Sequence, residues 1–247
     1  MQRVDLLLVE LGLAPSRTAA QNLIDAGRVK VDGKIVAKPS LKLEATAPIS
    51  VDADPADRFV SRGGLKLAGA LAKSGITVSG LQALDVGIST GGFTDCLLQA
   101  GARRVIGVEV GHDQLHPRLL ADSRVVQFEG VNARHLTPEL IAPALEGPLD
   151  LIVGDVSFIS LTLVLPRLAE VLPQGGRLLF LVKPQFEVGP GNLGKGGIVK
   201  DERLYPEVET KIRATAESCG LNVLDYFPSP IKGGDGNREF FLFASAA

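Results

Sequence analysis

Two cysteines in 247 residues, Cys96 and Cys219, are too few and too far apart for a disulfide scaffold or a cysteine-bound metal. They read as reduced core thiols of a cytoplasmic protein. The three histidines, His112, His116 and His135, share no ligand spacing with cysteines or acids and read as surface or packing residues, so no metal is expected. Long apolar runs are missing as well. Stretches such as Leu178 to Val182 fall far short of the roughly 20 residues that span a bilayer. The N-terminus sets Arg3, Asp5 and Glu10 around a short apolar run, which is no signal peptide. Neither sign of charge dominates: 26 Lys and Arg against 28 Asp and Glu leave a net −2. The chain as a whole is therefore no cationic nucleic-acid binder, and any such surface must be local. What remains is a 45% hydrophobic chain with room for one ordinary α/β domain and a small module.

The small module is expected over 1–57. Ser16 is placed to cap a helix whose apolar face is Ala19, Ala20, Leu23 and Ile24, with Gly27 at the left-handed C-terminal position. Val29 to Val36 reads as a hairpin turning at Asp32-Gly33. Residues 1–50 hold seven Lys and Arg against five acids. Arg3, Arg17, Arg28, Lys30 and Lys34 are the candidates for tracking a phosphate backbone, although charge alone favours a solvated face on a small structural module. The polar stretch Asp52 to Asp57, with its proline, marks the boundary of a second domain over 58–247. That domain opens with Arg58, Arg62 and Lys66, three cations in nine residues that suit an anionic substrate, leading into a helix from Ala68 to Ser74.

From Ala83 onward the pattern alternates. Strands are expected near 83–87, 104–109, 125–128, 150–155, 178–182, 222–227 and 239–244, and helices near 92–100, 113–121, 160–172 and 202–219. Such alternation predicts a sheet covered on both faces. The short turn at Gly233 to Arg238 makes the last strand antiparallel. This is a Rossmann-like α/β sheet of the kind found in methyltransferases that use S-adenosylmethionine.

The most telling stretch runs from Leu84 to Asp95. A short apolar strand ends at Asp85 and Gly87, passes Ser89 and Thr90, and enters a helix at Gly91, Gly92 and Phe93. The spacing Asp-x-Gly-x-x-x-Gly-Gly differs from the Gly-x-Gly-x-x-Gly that cradles a pyrophosphate. It suits an adenosine ligand without phosphate, S-adenosylmethionine above all. Glu109 ends the next strand, 24 positions after Asp85, where an acid can accept both ribose hydroxyls. Asn132 follows the third strand and is placed to meet adenine.

Two later strands end in charge: Val153-Gly154-Asp155 and Leu181-Val182-Lys183. Charges at the ends of central strands must face a cleft or pair, because isolated burial is costly. Asp155 and Lys183 stand on neighbouring strand ends and can pair, with Asp155 also near the cofactor, and Lys66 and Glu239 turn the pair into a possible tetrad. Lys183 then has neighbours of both signs. Lys66 would favour its neutral amine, Asp155 and Glu239 its ammonium, so which form prevails stays open. The glycine-rich loop Gly189 to Gly197 reads as a lid, with Lys195 and Lys200 reaching phosphate, or as a flexible surface loop.

These residues carry a resemblance. Arg3-x-Asp5, Ser16-Arg17, Ala26 to Val29, Ser61 to Lys66, Asp155 to Ser160, Leu181 to Gly189 and Gly233 to Phe240 are similar to the TlyA (haemolysin-A-like) family of ribosomal RNA 2′-O-methyltransferases, over essentially the whole chain. The first module resembles the RNA-binding domain named after ribosomal protein S-four, and the remainder resembles the FtsJ-like methyltransferases. Their catalytic Lys-Asp-Lys-Glu set would fall on Lys66, Asp155, Lys183 and Glu239, with Lys183 expected to meet a ribose hydroxyl. Ile88 is larger than the residue usual in the turn, and Glu109 replaces the commoner Asp. The resemblance implies a cytidine target in large-subunit rRNA and, in some members, small-subunit rRNA as well. Members acting on both are longer at both ends, so a chain beginning two residues before Arg3 and stopping four after Phe243 leads to the expectation of large-subunit RNA. Ribosomal RNA or subunits are the expected partners, with no membrane and a monomeric enzyme. A ribosome assembly factor and a membrane-active haemolysin are the competing classes.

Overall fold

A computed structural model describes residues 1–247, with the backbone alone described at 55 and 56. The chain divides into two compact units, Met1–Asp57 and Arg58–Ala247.

In the first unit, β1 (Gln2–Arg3) runs into α1 (Val4–Glu10), followed by α2 (Arg17–Asp25). Strands β2 (Val29–Val31), β3 (Lys34–Ile35), β4 (Lys42–Leu43) and β5 (Ile49–Val51) complete it. β1 pairs antiparallel with β4, while β3, β2 and β5 form a small sheet in that order. The Ser16 hydroxyl accepts the Ala19 amide at 3.2 Å, and Gly27 takes φ +70°, as the capping signals predict. Val4, Leu8, Ala20, Ile24, Val29 and Val36 make the core. Helix α1 has no counterpart in the sequence reading, because its four consecutive apolar residues show no helical period.

The second unit begins with α3 (Gly63–Ser74) and then alternates: β6 (Gln82–Val86), α4 (Gly92–Gln99), β7 (Arg104–Val108), α5 (Pro117–Leu120) and β8 (Val125–Phe128). It continues with α6 (Pro138–Ile141), β9 (Leu151–Gly154), α7 (Leu165–Val171), β10 (Arg177–Val182), α8 (Tyr205–Ser218), β11 (Leu221–Pro228) and β12 (Phe240–Ala246). The seven strands lie in the order β11-β12-β10-β9-β6-β7-β8, with β12 antiparallel to both neighbours. Both faces are buried, and the period-two alternation of strand side chains divides them. Leu84, Ile152 and Phe180 join one core, while Ala83, Val153 and Leu179 join the other. The Rossmann-like sheet with an antiparallel last strand is thus as expected.

α6 has no counterpart in the sequence reading, and three expected helices take other bounds. The expected helix at 113–121 contracts to α5, because Asp113 adopts φ +55° and His116, preceding Pro117, is held extended at ψ 134°. The one at 160–172 splits into a 3-10 turn at Leu161–Leu163 and α7, which has a proline in its first turn. Conversely, α3 starts at Gly63, five residues before Ala68. Close packing overrides low glycine propensity there, since a Cβ on Gly64 would sit 2.3 Å from the Phe59 ring.

At Gly91, φ is +95° where α4 begins, and at Gly92 the backbone lies against the start of α3. A Cβ on Gly92 would stand 2.2 Å from Ser61 Oγ and 3.0 Å from the Gly64 amide nitrogen. Gly92→Ala should therefore lower stability by about 2 kcal/mol. Gly191→Ala, with open space around its Cα, should change it by less than about 0.5 kcal/mol. Urea unfolding of both variants checks the contrast.

Candidate active site

A cleft of about 890 Å³ opens where β6, β7, β9 and β10 end, the edge at which open α/β sheets collect ligands. One half is built by the glycine turn. Gly87 donates to the Val108 carbonyl, which ties β6 to β7, and Ser89 adopts φ +48°. Ser89 N–H donates to Glu109 Oε2 and Gly111 N–H to Oε1, both at 2.9 Å. Each Glu109 oxygen keeps a further lone pair. Gly87, Ser89, Thr90, Gly92, Phe93 and Glu109 line this half, as does Asn132, whose Oδ1 accepts the Arg134 amide at 3.0 Å.

Two of the expected cofactor residues stand behind the cleft wall. Asp85 is buried: its Oδ2 accepts from Thr94 Oγ1 at 2.7 Å, while Oδ1 has no hydrogen-bond partner. Burial pushes its carboxyl up to about 7, against the opposing Thr94 bond. Gly91 is also absent from the lining, and a Cβ there would meet Leu119 Cδ1 at 2.2 Å. The missing side chain lets α4 pack closely against α5.

The other half holds the four charges. Pairing of Val182 with Phe240 brings Lys183 and Glu239 to adjacent strand ends, and parallel pairing of Phe180 with Gly154 sets Asp155 beside them. Lys66 reaches in from α3. Its Nζ lies 2.6 Å from Glu239 Oε2 and 3.7 Å from Asp155 Oδ2. Lys183 Nζ lies 2.5 Å from Asp155 Oδ1. Lys66, Asp155 and Lys183 line the cleft, whereas Glu239 is buried beneath them, and that burial raises its carboxyl against the pull of Lys66. The sequence-predicted tetrad is therefore one continuous ionic chain.

Several cleft residues escaped the sequence reading. Ser157 Oγ accepts a hydrogen bond from Lys183 Nζ at 2.8 Å. Phe158 is 91% exposed at φ +62°, tilted against Phe186 at 5.2 Å between ring centroids. A bulky residue held in the left-handed region, with its ring in solvent, is a costly arrangement of the kind kept for binding. The carboxylate of Glu187 accepts the Leu161 amide (2.6 Å), the Ser160 hydroxyl (2.7 Å) and Lys211 Nζ (2.8 Å). Arg134 and Lys232 also line the cleft. Ser157 and Phe158 directly follow a charged strand end, which was the one available signal.

The loop Gly189 to Gly197, read as a lid or a flexible surface loop, is internally bonded. Gly194 N–H donates to the Ile198 carbonyl at 2.7 Å, and Asn237 grips Gly197 O and Val199 N–H, each at 3.0 Å. Lys195 and Lys200 lie outside the cleft lining. Among the described residues no group of histidines, cysteines and acids is arranged for a metal. His112 faces Glu129 at 3.5 Å, and His116 caps α5.

Of the cations expected to meet RNA, Arg62 lines the cleft and donates to the Lys232 carbonyl at 3.4 Å. Arg58 stacks over Phe59 and contacts Gln99. In the first unit Arg3 and Arg17 both bind the buried carboxylate of Asp5, at 2.9 and 3.0 Å. Arg28 pairs with Asp57, Lys30 with Asp52 at 2.7 Å, and Lys34 stands exposed on β3.

A Rossmann-like sheet with an antiparallel seventh strand, a glycine turn and a Lys-Asp-Lys-Glu set at its C-terminal edge defines a methyltransferase. Residues 59–246 match the FtsJ-like methyltransferase family and residues 2–49 the S4 domain. The chain belongs to the FtsJ-like methyltransferases, within the TlyA (haemolysin-A-like) group. It is 44% identical to the 16S/23S rRNA (cytidine-2′-O)-methyltransferase TlyA of Mycobacterium tuberculosis, covering 98% of this chain and 88% of that one. It is 39% identical to the protein named Hemolysin A of Brachyspira hyodysenteriae, covering 96% and 97%. A solved structure from Streptococcus thermophilus that bears a hemolysin name superposes with a TM-score of 0.76 at 40% identity, covering 99% of this chain and 88% of that one.

The guanidinium of Arg3, bonded to Asp5, is the largest influence holding that carboxyl well below the usual carboxylate range. Its stabilising contribution is present above about pH 4, where the unfolded carboxyl is ionised, and is lost as pH falls through the folded value. Asp5→Asn should speed amide exchange in α1 and α2 at neutral pH, equivalent to about 1–2 kcal/mol. The difference from wild type should shrink in acid.

Proposed function

We propose that this protein transfers a methyl group from S-adenosylmethionine to the ribose 2′-hydroxyl of a cytidine in ribosomal RNA. The observation that carries this reading is the position of Lys183. It lines the same cleft as the glycine turn, ion-paired with Asp155 and donating to Ser157. The relatives' names supply the cytidine and the ribosomal RNA.

The residues present fit the cofactor. The turn from Asp85 to Asp95 contains no lysine or arginine, as suits a ligand without phosphate. Glu109 would offer one lone pair on each oxygen to the ribose diol, Asn132 would meet adenine, and Asp155 would offer its carboxylate to the sulfonium; all three line the cleft. When bound, S-adenosylmethionine would supply an activated methyl, with a neutral thioether as the leaving group.

The chain's own residues hold the acceptor. Lys183 hydrogen-bonds the 2′-oxygen and fixes it in line for attack. The hydroxyl proton passes to Lys183 when that group is the amine, or to water after the C–O bond forms when it is the ammonium. Lys66 and Glu239 keep Asp155 oriented from behind. Phe158 offers an exposed aromatic face on which a splayed base can stack, and Arg62, Lys232 and Arg134 line the same cleft for phosphate. The S4-type unit, with Arg3, Arg17, Arg28, Lys30 and Lys34, supplies further contacts to the RNA. No helix among the described residues is long and apolar enough to cross a membrane.

The test is tritium transfer from labelled cofactor to purified ribosomal subunits. Wild type should label the RNA. Lys183→Ala should lose at least about tenfold in turnover, with cofactor affinity intact by calorimetry. Retained turnover in the variant overturns the role of Lys183. Absence of label with wild type, cofactor still bound, favours an assembly factor. The labelled subunit identifies the substrate RNA.

A further inference from the structure

Lysine is a poor directional group. Its ammonium turns freely about the last carbon–nitrogen bond and carries three equivalent hydrogens. A single carboxylate partner therefore leaves the other two directions undefined. At this site a second acceptor is present. Ser157 Oγ accepts a hydrogen of Lys183 Nζ at 2.8 Å, from the neighbouring strand end and two residues beyond Asp155, whose Oδ1 stands 2.5 Å from the same nitrogen as its ion-pair partner. The ion pair sets where the nitrogen sits, and the bond to Ser157 sets how it is turned. Lys183 and Ser157 both line the cleft, so the group is turned at the surface a substrate meets.

We propose that Ser157 is the positioning residue for Lys183: by taking one hydrogen of the nitrogen that Asp155 holds by charge, it turns that nitrogen toward the cleft for the ribose hydroxyl. This rests on the reading of Lys183 as the group that meets that hydroxyl. The geometry serves both protonation states. The ammonium presents a hydrogen to the oxygen. The neutral amine, donating to Ser157, presents its lone pair to the hydroxyl proton.

A second set of observations shows that Ser157 is itself held in place. Its loop leaves β9 through Asp155, turns at Phe158 in the left-handed region, and is gripped at Ser160 and Leu161 by the carboxylate of Glu187. Glu187 side-chain exposure is 1%, and it follows Lys183 by four residues on the loop leaving β10. The two loops that carry the donor and its acceptor are thus clamped to each other, with Lys211 of α8 closing the clamp at 2.8 Å. The serine cannot drift from the lysine without breaking a buried carboxylate's bonds.

Ser157→Ala keeps the fold, because the side chain is exposed and accepts a single bond. It should lower kcat by about tenfold or more, the scale of misplacing a reacting group, with KM for RNA and cofactor affinity within about twofold. Ser157→Thr restores the hydroxyl and should recover most of kcat. Lys183→Ala is assayed alongside. Wild-type kcat in Ser157→Ala, with Lys183→Ala inactive, overturns the inference and leaves the proposed chemistry standing. An active Lys183→Ala overturns both. A loss in Ser157→Ala that appears in KM alone, or that Thr fails to restore, also overturns the positioning role.

Discussion

The carboxylate of Asp155 lies between two ammonium groups, Lys183 on one oxygen and Lys66 on the other, and the site depends on this sharing. Taking an ion out of water costs several kcal/mol, and a nearby opposite charge recovers that only in good geometry. Here four charges from α3, β9, β10 and the residue before β12 sum to zero within one contact chain. The sheet makes this possible. Parallel register sets the ends of β9 and β10 level, and the antiparallel β12 returns Glu239 to the same edge. A methyltransferase sheet without that reversed strand would have no fourth charge, and Lys66 would lose its closest partner.

The same arrangement explains how a neutral cluster can handle both a cationic cofactor and an anionic RNA. Carboxylates are concentrated at the glycine turn and beneath the floor, where Asp85, Glu109 and Asp155 lie. Arg62, Lys232 and Arg134 line the cleft as well. Net charge of −2 over the whole chain conceals this division. The backbone also contributes: Glu109 is fixed by two amides, so its oxygens are oriented before any ligand arrives.

Much of this was legible in the sequence, for physical reasons. A central strand interrupted by a charge announces a cleft, and Asp155 and Lys183 both interrupt apolar runs. Lys66 and Glu239 lie on elements far apart in the chain and were reached through the likeness to a known family. A charge is legible in the sequence, but its partner is not. Arg3, Arg17, Arg28 and Lys30 read as cations available for phosphate, and each is engaged by an internal acid. Asp85 and Gly91 belong to the glycine turn yet serve it from behind the wall. Ser157, Phe158 and Glu187 act through a loop whose course depends on a left-handed residue, and nothing in local periodicity signals that. Helix 113–121 was over-read because Asp113 and Pro117 break it from within.

The most direct measurement of the central claim is mass spectrometry of nucleosides from ribosomal RNA treated with the enzyme. The account predicts a cytidine carrying its added methyl on the ribose fragment, absent from RNA treated with Lys183→Ala. A methyl on the base fragment would contradict it, because the cleft would then be presenting a base atom to the cofactor, and Lys183 would have no ribose hydroxyl to meet.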